Sequence, residues 1–186
     1  MMKAAVFGLA VVISVFALTP TAQASCLGCY CDHISNGTFT TNASWAFTNW
    51  VGNSAQNASW TQISDCTPVQ NDGVADLTKA GSEIEHILYV PSNGGFAYMV
   101  DFTVYAPNYA SATSWDSVSV YISDDLGRSE YAGTAYLNSM TNCFKNFSFP
   151  LQYDYSNRTV IVEIRKSRYS SMTTYLDYAS FIGQTC

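Results

Sequence analysis

The sequence predicts an all-β fold in which two antiparallel sheets pack face to face around one core. Three observations carry this. Val118, Val120 and Ile122 alternate with Ser117, Ser119 and Tyr121, and Val160, Val162 and Ile164 alternate with Ile161, Glu163 and Arg165, the period of a half-buried strand. Turn residues recur between such runs, as Asn71-Asp72-Gly73, Pro91-Ser92-Asn93-Gly94-Gly95, Ala106-Pro107-Asn108 and Asp124-Asp125-Leu126-Gly127. No amphipathic helical pattern of about ten residues or more follows residue 24.

Taken in order, residues 1–24 read as a secretory signal. Lys3 supplies the positive start, residues 4–18 the apolar stretch, and Ala22-Gln23-Ala24 the small-x-small cleavage site, with cleavage after Ala24. That stretch is too short to span a bilayer, so the expected product is one secreted, extracellular or periplasmic domain, residues 25–186, with no membrane insertion. The strands expected there cover 60–64, 82–90, 96–105, 117–122, 130–137, 143–151, 160–165 and 175–182. Asn42-Ala43-Ser44-Trp45 recurs as Asn57-Ala58-Ser59-Trp60, which two copies leave as local similarity rather than a repeat architecture. Asn36, Asn42, Asn57, Asn146 and Asn157 each begin an Asn-x-Ser/Thr sequon.

Charge narrows the partners. The whole chain carries 8 basic and 14 acidic residues, net −6, and without Lys3 the balance is 7 against 14. The basic residues form no continuous stripe, so nucleic acid and anionic membranes are poor partners. Aromatic residues reach 15% while charged residues make up 12%, so the surface must draw its polarity from Ser, Thr, Asn and Gln with rings among them.

All six cysteines, Cys26, Cys29, Cys31, Cys66, Cys143 and Cys186, lie beyond the signal and are even in number, which in an oxidising compartment favours a disulfide-stapled domain. Three crowd the N-terminus and three stand alone downstream, so each of the first group is expected to take one distant partner. Cys186 is the mate of one of Cys26, Cys29 or Cys31 if the ends meet. The spacing Cys26-x2-Cys29-x-Cys31-x-His33 also admits a zinc reading, disfavoured by the tight spacing and by secretion.

Two short motifs at opposite ends carry a family resemblance: Asn36-Gly37-Thr38-Phe39, followed by Phe47-Thr48-Asn49-Trp50, and the terminal run Tyr175-Leu176-Asp177-Tyr178-Ala179-Ser180-Phe181. These resemble the galactose-binding-like jelly rolls, in particular carbohydrate-binding modules of families 4, 9 and 22. Such modules often open with an Asn-Gly-x-Phe-Glu strand, reach a tryptophan after a short loop and close on an apolar-Asp-x-apolar strand. The resemblance implies a two-sheet jelly-roll sandwich and non-catalytic recognition of a poly- or oligosaccharide. It also implies a structural calcium between the opening strand and the closing aspartate. Here Thr38 and Asp177 are the candidate ligands, and Thr38 and Thr40 stand where acidic residues are frequent, so side-chain ligation is depleted. The competing reading has Asp177 bonding local backbone donors while a disulfide at Cys186 holds the ends.

Sugar recognition asks for flat rings that stack on pyranose faces and for amides, carboxylates or guanidinium groups that bond the hydroxyls. By the alternation, Asp101, Thr103, Tyr105, Tyr121, Glu163 and Arg165 project away from the core, and Trp115, Tyr109 and Tyr153 fall in or beside loops that rim a cleft. Tyr105, Tyr121, Asp101, Arg165, Glu163 and Trp115 are therefore the expected carbohydrate contacts, although the sequence does not say whether they share a sheet. Trp45, Trp50 and Trp60 are expected to pack inside or under loops. No nucleophile elbow, zinc-protease helix or phosphate loop is present, and Asp124-Asp125 reads as a polar turn, so no catalytic residues are expected. The alternative to glycan binding is an adhesive or structural surface protein without a specific sugar ligand.

Overall fold

The structure is a computed structural model that describes residues 25–27, 30–34, 37–39, 43–49, 58–62, 73–92 and 96–184. Among these the chain forms twelve strands and two short 3-10 turns. The strands are β1 (Ser25–Leu27), β2 (Tyr30–Asp32), β3 (Ala46–Asn49), β4 (Ser59–Gln62), β5 (Gly73–Asp76), β6 (Ser82–Val90), β7 (Ala97–Tyr105), β8 (Ser117–Asp124), β9 (Ser129–Tyr136), β10 (Phe144–Pro150), β11 (Arg158–Lys166) and β12 (Tyr175–Gln184). All pairings are antiparallel, and they make two sheets. No helix among the described residues is long and apolar enough to cross a membrane.

The seven-stranded sheet is organised around β12. Strand β7 runs along one side of it with β10 beyond, while β2 and β5 share the other side, continued by β1 and β4 respectively. The five-stranded sheet has the order β3-β6-β11-β8-β9. Between the two sheets the inward residues of each strand interdigitate: Ile84, Phe102, Ile122, Ile164, Leu176 and Phe181 are fully buried in one cluster. Each such side chain contributes roughly 1.5–3 kcal/mol on removal from water, which is why the period of two fixes the facing of every strand. Trp45 lies in this core between Phe39 and His86, at ring distances of 5.0 and 4.8 Å, as a packing tryptophan rather than a surface platform. His86 faces inward as the alternation of Glu85 and His86 requires, and burial lowers its pKa to about 4.

The opening and closing motifs meet. The Ala179 N–H donates to the Gly37 carbonyl at 2.8 Å, and the His33 N–H donates to the Phe181 carbonyl at 2.9 Å. Gly37 is required by this approach, because a Cβ there would stand 2.1 Å from the Ala179 oxygen. Asp177 falls where the register of β12 shifts against β7 between Leu176 and Tyr178, so it sits in a bulge. Thr38 is exposed. Cys29, Cys66 and Cys186 lie outside the described residues, as does Trp50.

Candidate functional site

The two sheets divide the residues that alternation turned away from the core. Asp101 and Tyr105 lie on β7 in the seven-stranded sheet, whereas Tyr121, Glu163 and Arg165 lie on β8 and β11 in the five-stranded sheet. They occupy opposite surfaces of the sandwich and cannot share one binding face.

On the seven-stranded sheet, Tyr105 faces away from the core yet is only 3% exposed. Its register partners on both neighbouring strands are aromatic: Phe144 on β10 and Tyr175 on β12, stacked at 5.0 and 5.6 Å with interplanar angles of 20° and 19°. The expectation that Tyr105 offers an open stacking face is corrected by this three-ring layer, which leaves no ring face for a sugar. Asp101 accepts a hydrogen bond from the Ser148 hydroxyl at 2.5 Å, and Thr103 donates to Asn146 at 2.5 Å, so this surface is closed by its own cross-strand pairs.

The five-stranded sheet is different. Register places Glu163 of β11 between Glu85 of β6 and Tyr121 of β8, and Tyr121 opposite Tyr131 of β9. The next row sets Arg165 between Glu83 and Ser119, with Thr134 beyond. Arg165 ties the rows together. Its Nε donates to Glu83 at 2.5 Å, its Nη2 lies 3.0 Å from Glu163, and its guanidinium stands 4.7 Å from the centre of the Tyr121 ring. Glu163 and Arg165 form an ion pair, and the pair belongs to a larger cluster.

Carboxylate oxygens of Glu83, Glu85 and Glu163 all lie within 4.8 Å of one another. One arginine cannot neutralise three carboxylates, and the chemistry responds by retaining a proton. Burial, a hydrogen bond shared with Glu83 and the negative charges of Glu83 and Glu163 push Glu85 up to about 7, with Arg165 opposing. Burial also raises Glu163, against the pull of Arg165. Near neutral pH Glu85 can thus both donate and accept a hydrogen bond, which suits a ligand made of hydroxyls.

Rings flank this polar patch. Tyr121 is braced by Arg165 on one side and by Tyr131 at 5.4 Å on the other, so the more open ring is Tyr131, 55% exposed. A register shift between Val120 and Tyr121 puts an extra residue into β9, and it is this bulge that lets Tyr131 and Thr134 both face outward, their hydroxyls 2.5 Å apart. Gly133, opposite Val120, leaves room for the Phe149 ring, which a Cβ would meet at 2.3 Å. Tyr89 and Ile87 are exposed at one end of the face. At the other end a groove of about 180 Å³ runs beside Ser117, Ser119 and Tyr121 to Tyr169 in the turn after β11. Trp115, 64% exposed, meets Tyr169, 63% exposed, edge to face at 5.7 Å, and Tyr169 in turn lines that groove. Tyr109 is half-buried against the core, and Tyr153 lies under the Arg128 guanidinium at 5.4 Å, away from this groove's lining.

Asp124-Asp125 forms the polar turn that the sequence suggested. Asp124 accepts the Leu126 and Arg128 N–H groups at 3.1 and 2.9 Å and pairs with the Arg128 side chain, and Gly127 takes a positive φ of 77°. Sequence reasoning did not place Glu83, Glu85, Tyr131 or Tyr169 in the site. Glu83 and Glu85 carry a signal in their period of two along β6, but only the pairing of β6 with β11 brings them to Glu163.

No protein-family model matches the chain, and no curated protein matches it. Solved structures do. The CBM22-1-GH10 modules of the Clostridium thermocellum xylanase Xyn10B, complexed with xylohexaose, align at 10% identity over 83% of this chain and 29% of that one, with a TM-score of 0.53. The enzymatically active domain of bacteriophage CBA120 tailspike protein 4 aligns at 12% identity over 82% of this chain and 21% of that one, with a TM-score of 0.53. Xylanase10C from Cellvibrio japonicus, in complex with xylopentaose, aligns at 13% identity over 74% of this chain and 26% of that one, with a TM-score of 0.51. This chain therefore spans under a third of the length of each of these proteins. At such identity the likeness speaks for architecture alone, and the architecture is an antiparallel two-sheet β-sandwich.

Proposed function

We propose that this protein is a secreted, non-catalytic carbohydrate-binding domain that holds a polysaccharide on the outer face of its five-stranded sheet. The observation that carries the reading is the cluster of Glu83, Glu85, Glu163 and Arg165 set directly against the exposed Tyr131 and the braced Tyr121. Outward residues 117–123 of β8 alone extend over about 20 Å, enough for a chain of sugar rings rather than a single one. The xylan oligosaccharides held by two of the similar structures make a β-linked plant polysaccharide the first ligand to try. Affinity electrophoresis in gels containing soluble xylan, glucan, galactan or mannan tests this. Retardation by at least one of them is expected; migration unchanged in all four would leave the adhesive or structural reading in its place.

What supports a non-catalytic role is the arrangement of the acids. Retaining glycosidases set two carboxyl groups about 5–5.5 Å apart across a scissile bond, with one free to attack. Here the three glutamates stand side by side on adjacent strands, and Glu83 and Glu163 are both engaged by one arginine. Their role in this reading is to bond hydroxyls.

Secretion rests on the signal-like residues 1–24, and a disulfide framework is supported by Cys31 and Cys143, both of which are bonded sulfurs rather than free thiols. The pairing of β12 with β2 sets Gly183 opposite Cys31 and so favours a link from Cys186 to the N-terminal cysteines, which non-reducing peptide mapping reads directly. For calcium, the donor set at the meeting of the two ends is thin: Asp177 is the one carboxylate of the candidate pair, and Thr38 adds a hydroxyl. These residues suit at most a weak site, so a chelator is expected to move the melting temperature little, and a large loss on chelation would reverse that assignment.

A further inference from the structure

The groove at the far end of the face differs in charge from the glutamate cluster beside it. In a chain with 8 basic residues and a net charge of −6, three of the basic residues, Arg165, Lys166 and Arg168, line this one groove, and no carboxylate does; the rest of the lining is serine and the two tyrosines. The three cations are not equivalent. Arg165 is committed to Glu83 and Glu163. Lys166 is fully buried, and its ammonium donates to the backbone carbonyls of Thr78, at 2.7 Å, and Met172.

Arg168 is the one that faces outward. It is exposed and has no carboxylate partner among the described residues; one Nη2 donates to the Tyr169 hydroxyl at 2.5 Å, and its guanidinium lies 4.8 Å from the Tyr169 ring centre. That contact restrains the guanidinium beside the groove while most of its five N–H donors stay open, which is the geometry that favours a carboxylate or sulfate over a neutral hydroxyl. Tyr169 and Trp115, meeting at 69°, form an aromatic corner next to it on which a ring can rest.

Building on the carbohydrate-binding reading, we propose that this groove is a subsite for a sugar ring bearing an anionic substituent, a uronate carboxylate or a sulfate ester, bound by Arg168 against the Tyr169–Trp115 corner. The glutamate cluster then handles neutral rings of the same polysaccharide, and the acidic overall charge of the protein confines anionic sugars to this one place. Contact through Arg168 is ionic and partly exposed, so unlike ring stacking it weakens with salt.

The test uses protein expressed from the full chain and titrated with polygalacturonate, its fully methyl-esterified form, a sulfated galactan and neutral xylan, at about 20 mM and about 0.3 M salt. At low salt one acidic polymer is expected to bind at least about fivefold tighter than the neutral ones, with the advantage reduced at high salt. Which acidic polymer gains the advantage assigns the substituent as uronate or sulfate. Arg168→Gln should abolish the advantage while leaving neutral xylan binding and the melting temperature unchanged, and Arg168→Lys should restore part of it. If the acidic and esterified polymers bind alike, or if Arg168→Gln keeps the preference, the anionic subsite is wrong while the carbohydrate-binding reading stands. If no polymer binds, both are overturned.

Discussion

The two outer faces of the sandwich are built from the same alternating strands, and they end in opposite states. On the seven-stranded sheet, Phe144, Tyr105 and Tyr175 stack across three neighbouring strands, and Asp101, Thr103, Asn146 and Ser148 bond one another. Each of these groups has a partner within the sheet. On the five-stranded sheet three glutamates share one arginine, and Tyr131, Tyr89 and Ile87 remain open to solvent. A face that satisfies itself contributes to stability; a face left with excess charge and uncovered rings has recognition capacity to spare.

The sharpest way to break this contrast is Tyr105→Ala. Removing a ring buried between two others should cost about 3 kcal/mol of stability by analogy with other buried aromatic truncations. Chemical denaturation measures it, and binding per folded molecule should be unchanged. A stable variant that has lost glycan retardation would return the site to the seven-stranded sheet.

Next in size are Tyr131→Ala and Tyr121→Ala on the opposite face. Loss of one stacking ring should weaken polysaccharide binding by about 1 kcal/mol, several-fold in affinity, with little change in the unfolding midpoint for the exposed Tyr131. Tyr121→Ala should do somewhat more, because Tyr121 also braces Arg165. Isothermal titration against whichever glucan, xylan, galactan or mannan retards the wild type gives the comparison. Undiminished affinity in both variants would mean that rings on this face are not the platform.

Much of this architecture was legible in the chain, and the reason is local. The period of two in β6, β7, β8 and β11 is set by which side chains must leave water, and expected strand 82–90 coincides with β6 (Ser82–Val90). The meeting of the opening and closing motifs was legible from the two ends of the chain, whereas the close approach of Gly37 to Ala179 on which it rests was not. Short strands β1, β2, β3 and β5, of three or four residues, carry too few alternations to announce themselves. The division of Asp101 and Tyr105 from Tyr121, Glu163 and Arg165 was not legible, because alternation gives the side of a strand but not the sheet it joins. Tyr105 looked open for the same reason: its covering rings, Phe144 and Tyr175, come from strands 39 and 70 residues further along the chain. Tyr131 was hidden by the bulge, which breaks the period in β9 at the point where the ring turns outward.

The smallest expected effect is also the most direct probe of charge on the open face. Glu85 titrates at about 7 in the folded protein against 4.5 when unperturbed, so between those values the native state holds a proton that the unfolded chain releases. Its contribution is therefore fully present below about pH 4.5 and is lost as the pH rises through 7. Glu85→Gln keeps a neutral group of similar shape beside Glu83 and Glu163 and removes that titration. The variant should melt close to the wild type at pH 4.5 and above it at pH 8, with the gap opening between. Comparing the two proteins at each pH is essential, since Asp116, Asp124 and Asp154 have lowered pKa values and lose stabilising interactions as the pH falls, the opposite slope, in both proteins alike. A difference in melting temperature that stays constant across this range would show that Glu85 does not share the charge of Glu83 and Glu163, and the crowding of carboxylates that distinguishes this face from its counterpart would lose its energetic basis.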